Sequence, residues 1–227
     1  MKLSTNTLTI LKNFSGINSN LVIRPGNVIK TMSEAKNIMA TATIEEQFPN
    51  EFGIYDLNEF LSVTGMFDNP ELKFSDDMKS VSIVDGKRSV KYFFSDTSIL
   101  TTPSKDITMP PTELKFTLTG DDMNTLRKAA AALGVTDVVI TAEEGSGPVK
   151  VLVTDIKDST SNAFSIELSD VERPTESFSF IFNISNFKVL AGDYNVAISS
   201  KLISHFKSTS ASVEYYIALE KSSAFDG

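Results

Sequence analysis

A chain of 227 residues, 41% hydrophobic and 22% charged, can bury a substantial core as one large domain or two modest ones, and its composition excludes the disordered and fibrous classes. The absence of cysteine removes disulfides, thiolate nucleophiles and thiolate metal sites together, and a single histidine, His205, leaves little room for a zinc site or a histidine-based triad. A formal net charge of -8, from 29 acidic and 21 basic residues, repels phosphate backbones at long range, so tight nucleic-acid binding driven by overall charge is excluded as well.

The first predicted element is an amphipathic helix in "TNTLTILKNFSGIN", capped by Ser4 and ended at Gly16, with Leu8, Leu11 and Phe14 as its buried stripe. Thr5, Thr9, Lys12 and Asn13 fall on the opposite side. Before Glu34 the chain carries Lys2, Lys12, Arg24 and Lys30 and no carboxylate, an odd gap in an acidic protein. Strands are expected at "LVI", "NVIKTMS" and "NIMATATI", the first stopped by the Pro25-Gly26 turn. At "IYDLNEFLSVTGMF" the period turns helical, with Asp56 as cap and Glu59 at the spacing of a capping box. The turn signals Asp76-Asp77 and Asp85-Gly86 separate the strands "ELKF", "SVSIV" and "SVKYFF". The stretch 95–111, with three prolines and no clean periodicity, reads as a linker.

The second half repeats the plan. A strand, "ELKFTLT", leads to the helix "GDDMNTLRKAAAALG", with Thr119 as cap and Asp122 at the third position. Met123, Leu126, Ala129, Ala130 and Leu133 make its apolar stripe, which leaves Asn124, Arg127, Lys128 and Ala131 facing away. The strands "DVVITA", "VKVLVTDI" and "AFSIEL" follow. In "FSFIFNISNFKVLAGDYNVAIS" a strand runs into a second short helix, with Asn183 in the role of Asp56, Phe187 in that of Phe60, and Lys188 on the helix. A strand in "VEYYIALE" closes the chain. The recurrence of cap, aromatic and strand order predicts an α+β protein with an internal duplication: a domain at 1–94, a linker at 95–111 and a second domain at 112–227.

No constellation for catalysis emerges, and no enzyme activity, cofactor or metal is expected. The pairs Asp121-Asp122 and Glu45-Glu46 are sequence neighbours whose side chains diverge, and acid in a helix's first turn complements the dipole. The "GSG" at 145–147 lacks the strand-to-helix context of a phosphate loop and fits a hairpin turn. Asp155, Asp158 and Asp170 lack calcium-loop spacing. His205 reads as a surface or packing residue. No window approaches the ~20 apolar residues of a membrane span, and the first residues lack the apolar run of a secretory signal, so a soluble, unexported protein is expected. What stands out is that two helix faces, past their capping acids, carry only cations. That pattern points to a surface facing phosphates. With few Arg or Gln groups to read base edges and no interleaved aromatics to stack on single strands, such a surface would touch a duplex loosely and without sequence preference.

The stretches "MKLS", "LKNFSGINSN", "IYDLNEFL", "FIFNISNFKVLAGDYNVAIS" and "YYIALE" together resemble the DNA polymerase sliding clamps of T-even-type tailed phages, over essentially the whole chain. The resemblance implies two similar clamp-type domains, each with antiparallel sheets outside and two helices lining the interior of a homotrimeric ring around duplex DNA. Lys2, Lys12, Arg127, Lys128 and Lys188 would then face the DNA. By the same analogy, the strand carrying Val90, Tyr92 and Phe94 and the strand carrying Phe164, Ile166 and Leu168 would supply the subunit interface, and Ile99, Leu100, Ile107 and Met109 a pocket for partner peptides. The implied partners are the replicative polymerase, an ATP-driven clamp loader and further copies of the chain, with no membrane, in the cytoplasm of an infected bacterial host. The family pattern has further basic residues near the positions held here by Thr5 and Ala131, which puts individual DNA contacts in doubt. The competing expectation is a two-domain β-rich phage structural or scaffold protein with no DNA role.

Overall fold

The computed structural model describes every residue from Met1 to Gly227. The chain divides into two compact units, Met1–Asp106 and Ile107–Gly227, and the division falls inside the proline-bearing stretch 95–111.

In the first unit, α1 (Thr5–Ser15) precedes β1 (Leu21–Ile23), β2 (Gly26–Met32), β3 (Ile38–Phe48) and β4 (Phe52–Ile54); α2 (Leu57–Thr64) then leads into β5 (Glu71–Phe74), β6 (Ser80–Asp85) and β7 (Arg88–Phe93). All pairings are antiparallel: β1 with β4, β2 with β3, and β5-β6-β7 as a sheet that ends at β7. Asp85 pairs with Arg88 across a two-residue turn, where Gly86 takes the left-handed conformation (φ 61°) that such tight hairpins need. The helix α1 packs on α2 and β3, burying Ile10, Leu11 and Phe14 together with Leu57 and Phe60.

One expectation for this unit changes. The buried stripe of α1 is Thr7, Ile10, Leu11 and Phe14, rotated from the predicted one so that Leu8 is only half-buried. The cause is polar, since the Thr7 hydroxyl donates to the Glu46 carboxylate on β3, a contact that apolar periodicity cannot announce. The switch into helix falls where the sequence places it: Phe52–Ile54 pairs with β1 as a strand, and α2 begins after Asp56, which accepts the Asn58 and Glu59 N–H groups at 2.9 and 3.1 Å.

The second unit runs β8 (Leu114–Leu118), α3 (Gly120–Leu133), β9 (Asp137–Ala142), β10 (Lys150–Thr154), β11 (Phe164–Glu167), β12 (Phe178–Asn183), β13 (Tyr194–Ser199), β14 (Ile203–Ser208), β15 (Val213–Ala218) and β16 (Ala224–Phe225). One antiparallel sheet has the order β11-β10-β9-β12-β16. Another antiparallel run joins β8-β13-β14-β15, and its inner face buries Phe116, Tyr194, Val196, Phe206, Tyr215 and Ile217.

The second short helix expected here is a single 3-10 turn, Ile184–Asn186, opened by the Asn183 side chain accepting the Ser185 N–H at 3.0 Å. The chain leaves the helical region at Phe187 (ψ 53°), whose ring is buried against Phe182 and Phe206 at centroid separations of 5.4 and 5.7 Å. Burying that ring is worth roughly 1.5–3 kcal/mol. An isolated helical turn is marginal in water, so packing prevails over helix extension. The strands β14 and β16 have no counterpart among the sequence expectations.

Candidate nucleic-acid interface

The helix α1 owes its start to two side chains. Ser4 accepts the Thr7 N–H at 3.2 Å, and Glu46 of β3 accepts both the Ser4 N–H and the Thr7 hydroxyl. No acidic residue lies in the first turn of α1 itself. Glu46 therefore supplies from the sheet the negative charge that the helix dipole favours. Burial works to raise its pKa, but hydrogen bonds from Thr7 and Ser4 outweigh that effect and hold the carboxyl below the usual carboxylate range. The consequence is an exposed α1 surface of Thr5, Asn6, Thr9 and Lys12 with Lys2 exposed nearby in sequence, and no carboxylate on the helix.

The helix α3 is built differently. Thr119 accepts the Asp122 N–H at 3.1 Å, Asp121 and Asp122 occupy the first turn, and Gly134 closes the helix in the left-handed conformation (φ 69°). Met123, Leu126 and Ala130 are buried, while Asn124, Thr125, Lys128 and Ala131 are exposed. The apolar stripe stops one turn short of the expectation, because Leu133 is 37% exposed.

Arg127 departs from its predicted place. Its guanidinium is half-buried and donates to the Phe187 carbonyl, and burial pulls its pKa below the usual arginine value. A long side chain can fold back onto a neighbouring carbonyl, which periodicity does not register. Lys188 is exposed, but it follows the 3-10 turn rather than sitting on a helix, between the buried residues Phe187 and Val189. Leu190 is braced beside it, its N–H donating to the Tyr215 hydroxyl at 3.2 Å and its carbonyl accepting from the Tyr194 hydroxyl at 2.8 Å. Burial pushes the Tyr194 phenol up to about 12 and raises that of Tyr215 further still, so both remain protonated and available for these bonds.

The two proposed interface strands are each terminal in their sheets: β7 ends β5-β6-β7, and β11 ends the five-stranded sheet. On and just after β7, however, Val90, Tyr92 and Phe94 are half-buried on the unit's own side. Tyr92 lies edge-on to Phe60 with centroids 5.3 Å apart and donates to the Asp56 carbonyl at 3.3 Å, while Phe94 stacks on Phe52 at 4.4 Å. The large side chain offered to solvent is Phe93, 68% exposed, with the Lys91 ammonium 5.0 Å from its ring centroid. Sequence reasoning missed Phe93 because adjacent aromatics at 93 and 94 fit either parity of the strand, and only Tyr92 on Phe60 settles which one turns out. On β11, Phe164, Ile166 and Leu168 are half-buried, and Ser165 and Glu167 are exposed. Exposed Lys87, Arg88 and Lys91 lie around β7 and exposed Glu167 and Asp170 around β11, although Arg88 is paired with Asp85 at 2.8 Å and Asp68 at 3.4 Å, and Glu167 lies 3.9 Å from Lys150.

Of the residues expected to form a partner pocket, Ile99 is 68% exposed and Leu100 is 8% exposed. Leu100 is a pin rather than a lining residue. A Cβ on Gly53 would lie 2.7 Å from its Cδ1 and, less forgivingly, 2.8 Å from the Ser95 carbonyl oxygen, so glycine lets this backbone come so close. Ile107 and Met109, in the second unit, are half-buried. Two of the loop acids have local partners, Asp158 accepting from the Thr160 N–H at 2.8 Å and Asp155 from the Lys157 N–H at 2.9 Å, while His205 Nε2 lies 2.9 Å from Glu214. No group of three or more His, Asp or Glu side chains is placed to hold a metal ion, and no helix is long and apolar enough to cross a membrane.

Residues 2–99 match the family described as DNA polymerase processivity factor, and residues 115–221 match that described as gp45 sliding clamp, C terminal. A sliding clamp of Vibrio phage KVP40 is 36% identical over 224 residues, covering 97% of this chain and 99% of that one. The sliding clamps of Escherichia phage RB69 and Enterobacteria phage T4 are each 29% identical over the full length of both chains. Among solved structures, the proliferating cellular nuclear antigen of Entamoeba histolytica superposes with a TM-score of 0.68 at 15% identity, covering 95% of each chain. The A. fulgidus antigen bound to the C-terminal region of FEN-1 does so with the same TM-score of 0.68 and 15% identity, over 96% of each chain.

Proposed function

This chain belongs to the sliding clamp family, and on that premise we propose that three copies close head to tail into a ring around duplex DNA and tether the replicative polymerase to its template. A scaffold role without DNA gives way to that membership. The observation that carries the DNA-facing part is the charge segregation on the helices: a chain of net charge -8 keeps Lys2, Lys12, Lys128 and Lys188 exposed on or beside helical elements, and α1 bears no acid at all. Arg127 supports this surface from behind rather than belonging to it.

A ring of three such acidic chains repels DNA as a whole, so enclosure and not affinity must retain it. Weak inner contacts then serve sliding, because firm phosphate contacts would arrest it. The tethered polymerase rebinds its primer at high effective concentration, which raises processivity without any catalytic step in the clamp. Ring closure joins β7 of one subunit to β11 of the next, a heterologous contact that closes after three copies. In support, both strands end their sheets and carry exposed charge of opposite sign. An ATP-driven loader opens the ring, and partner peptides dock an apolar anchor near the exposed Ile99. The setting is the cytoplasm of an infected bacterial cell.

Solution mass and topological retention test the proposal together. Light scattering gives three times the 24.8 kDa chain mass, and loaded protein stays on circular DNA but runs off the same DNA once it is linearised. A monomer at all concentrations, or equal loss from both forms, refutes it.

A further inference from the structure

The segment from Ile184 to Asp193, between β12 and β13, carries an exposed lysine on a backbone held from three sides. Arg127 reaches from α3 to the Phe187 carbonyl, Tyr215 accepts the Leu190 N–H from β15, and Tyr194 donates to the Leu190 carbonyl from β13. The rings of Phe187 and the side chain of Val189 are buried on either side of Lys188. An irregular segment with exposed backbone groups is ordinarily among the first to open. Here its ends are tied through backbone bonds, the Ile184 N–H to the Thr136 carbonyl and the Thr209 N–H to the Asp193 carbonyl, and its middle by side chains from three different elements.

The placing of the arginine bond is specific. It runs from the residue immediately before Lys128 to the residue immediately before Lys188, so it links these two exposed lysines through their neighbours. A guanidinium spent on a carbonyl and half withdrawn from water is a poor partner for a sliding phosphate, since leaving the carbonyl would strand a buried acceptor. Resting on the DNA-facing reading above, we propose that Arg127 is a positioning residue, whose bond to the Phe187 carbonyl fixes Lys188 relative to Lys128 so that the two ammonium groups meet the duplex as one unit. Arginine suits the task because its planar fork keeps a fixed geometry where a lysine would reorient.

The test combines a structural and a functional readout on the intact protein. Amide hydrogen exchange is followed over residues 184–193 in wild type, Arg127→Gln and Tyr194→Phe, each confirmed to assemble as wild type does. Clamp-stimulated primer extension on a circular template is measured across a salt series for Arg127→Gln, Lys128→Ala, Lys188→Ala and the Arg127→Gln/Lys188→Ala double variant. Exchange in the segment rises by about tenfold in Arg127→Gln, as expected for loss of one hydrogen bond to a charged group. The double variant extends no worse than Lys188→Ala alone, because a lysine that is absent cannot be misplaced. Unchanged exchange together with additive losses in extension overturns the proposal and makes Arg127 a phosphate contact in its own right. Faster exchange with extension indifferent to both Lys128→Ala and Lys188→Ala overturns the DNA-facing reading instead, since the tether then holds a segment with no role on DNA.

Discussion

Replacing Glu46 by alanine removes the only carboxylate at the start of α1, and the loss can be sized from its contacts. The Ser4 N–H and the Thr7 hydroxyl each lose their acceptor, and Thr7 is fully buried. A capping interaction is worth roughly 0.5–2 kcal/mol, and a hydrogen bond to a charged group about 1.5–3 kcal/mol. Partial exposure of Glu46 and residual capping by Ser4 place the total near 2 kcal/mol. For a chain of this size, that is a fall in melting temperature of about 4–8 °C. The pH dependence has a definite sign. The folded-state pKa is depressed, so the contribution is fully present above the unfolded-state value of about 4.3 and is lost as pH falls through the lower folded value. Thermal unfolding followed by circular dichroism at pH 7 and again near pH 3 provides the assay. A deficit in Glu46→Ala that is absent at pH 7, or one that persists undiminished in acid, refutes the account of Glu46 as the helix's charged cap.

Reversing charge at Lys12 and Lys128 together, to glutamate, lowers clamp-stimulated primer extension by about tenfold or more while light scattering still reports the assembled mass; the figure follows from the steep dependence of phosphate contacts on charge. Phe93→Asp, on the exposed edge of β7, shifts the sedimentation of the assembly towards single chains and leaves the circular dichroism spectrum unchanged, because the side chain makes little contact within its own unit. Gly53→Val forces a branched side chain against Leu100 and the Ser95 carbonyl, which a Cβ already approaches to 2.7 and 2.8 Å, and destabilises by about 1–3 kcal/mol in urea unfolding.

Periodicity and turn chemistry located most strands and all three long helices, because those signals are local. The caps at Ser4, Asp56 and Thr119 all act as their positions suggest. What escaped was set by distant partners. Thr7 became buried through Glu46, thirty-nine positions on. The turn after Asn183 stayed short because Phe187 found a ring cluster built from β12 and β14. Arg127 left its helix face for a carbonyl sixty positions away. The parity of β7 was decided by Tyr92 lying on Phe60. The lysines at 12 and 128 were legible as exposed because they lie on helix faces turned away from the apolar stripe.

The two helices that carry the exposed lysines obtain their N-terminal countercharge from opposite sources, and this sets how freely each can vary. Because β3 holds the anion for α1, the outward positions on that helix can change charge without removing the cap that starts it. On α3 the aspartates that secure the fold sit on the helix itself, so any gain of basicity near its beginning must contend with them. Adaptation of the bore to a new template or salt regime should therefore accumulate in the amino-terminal half first.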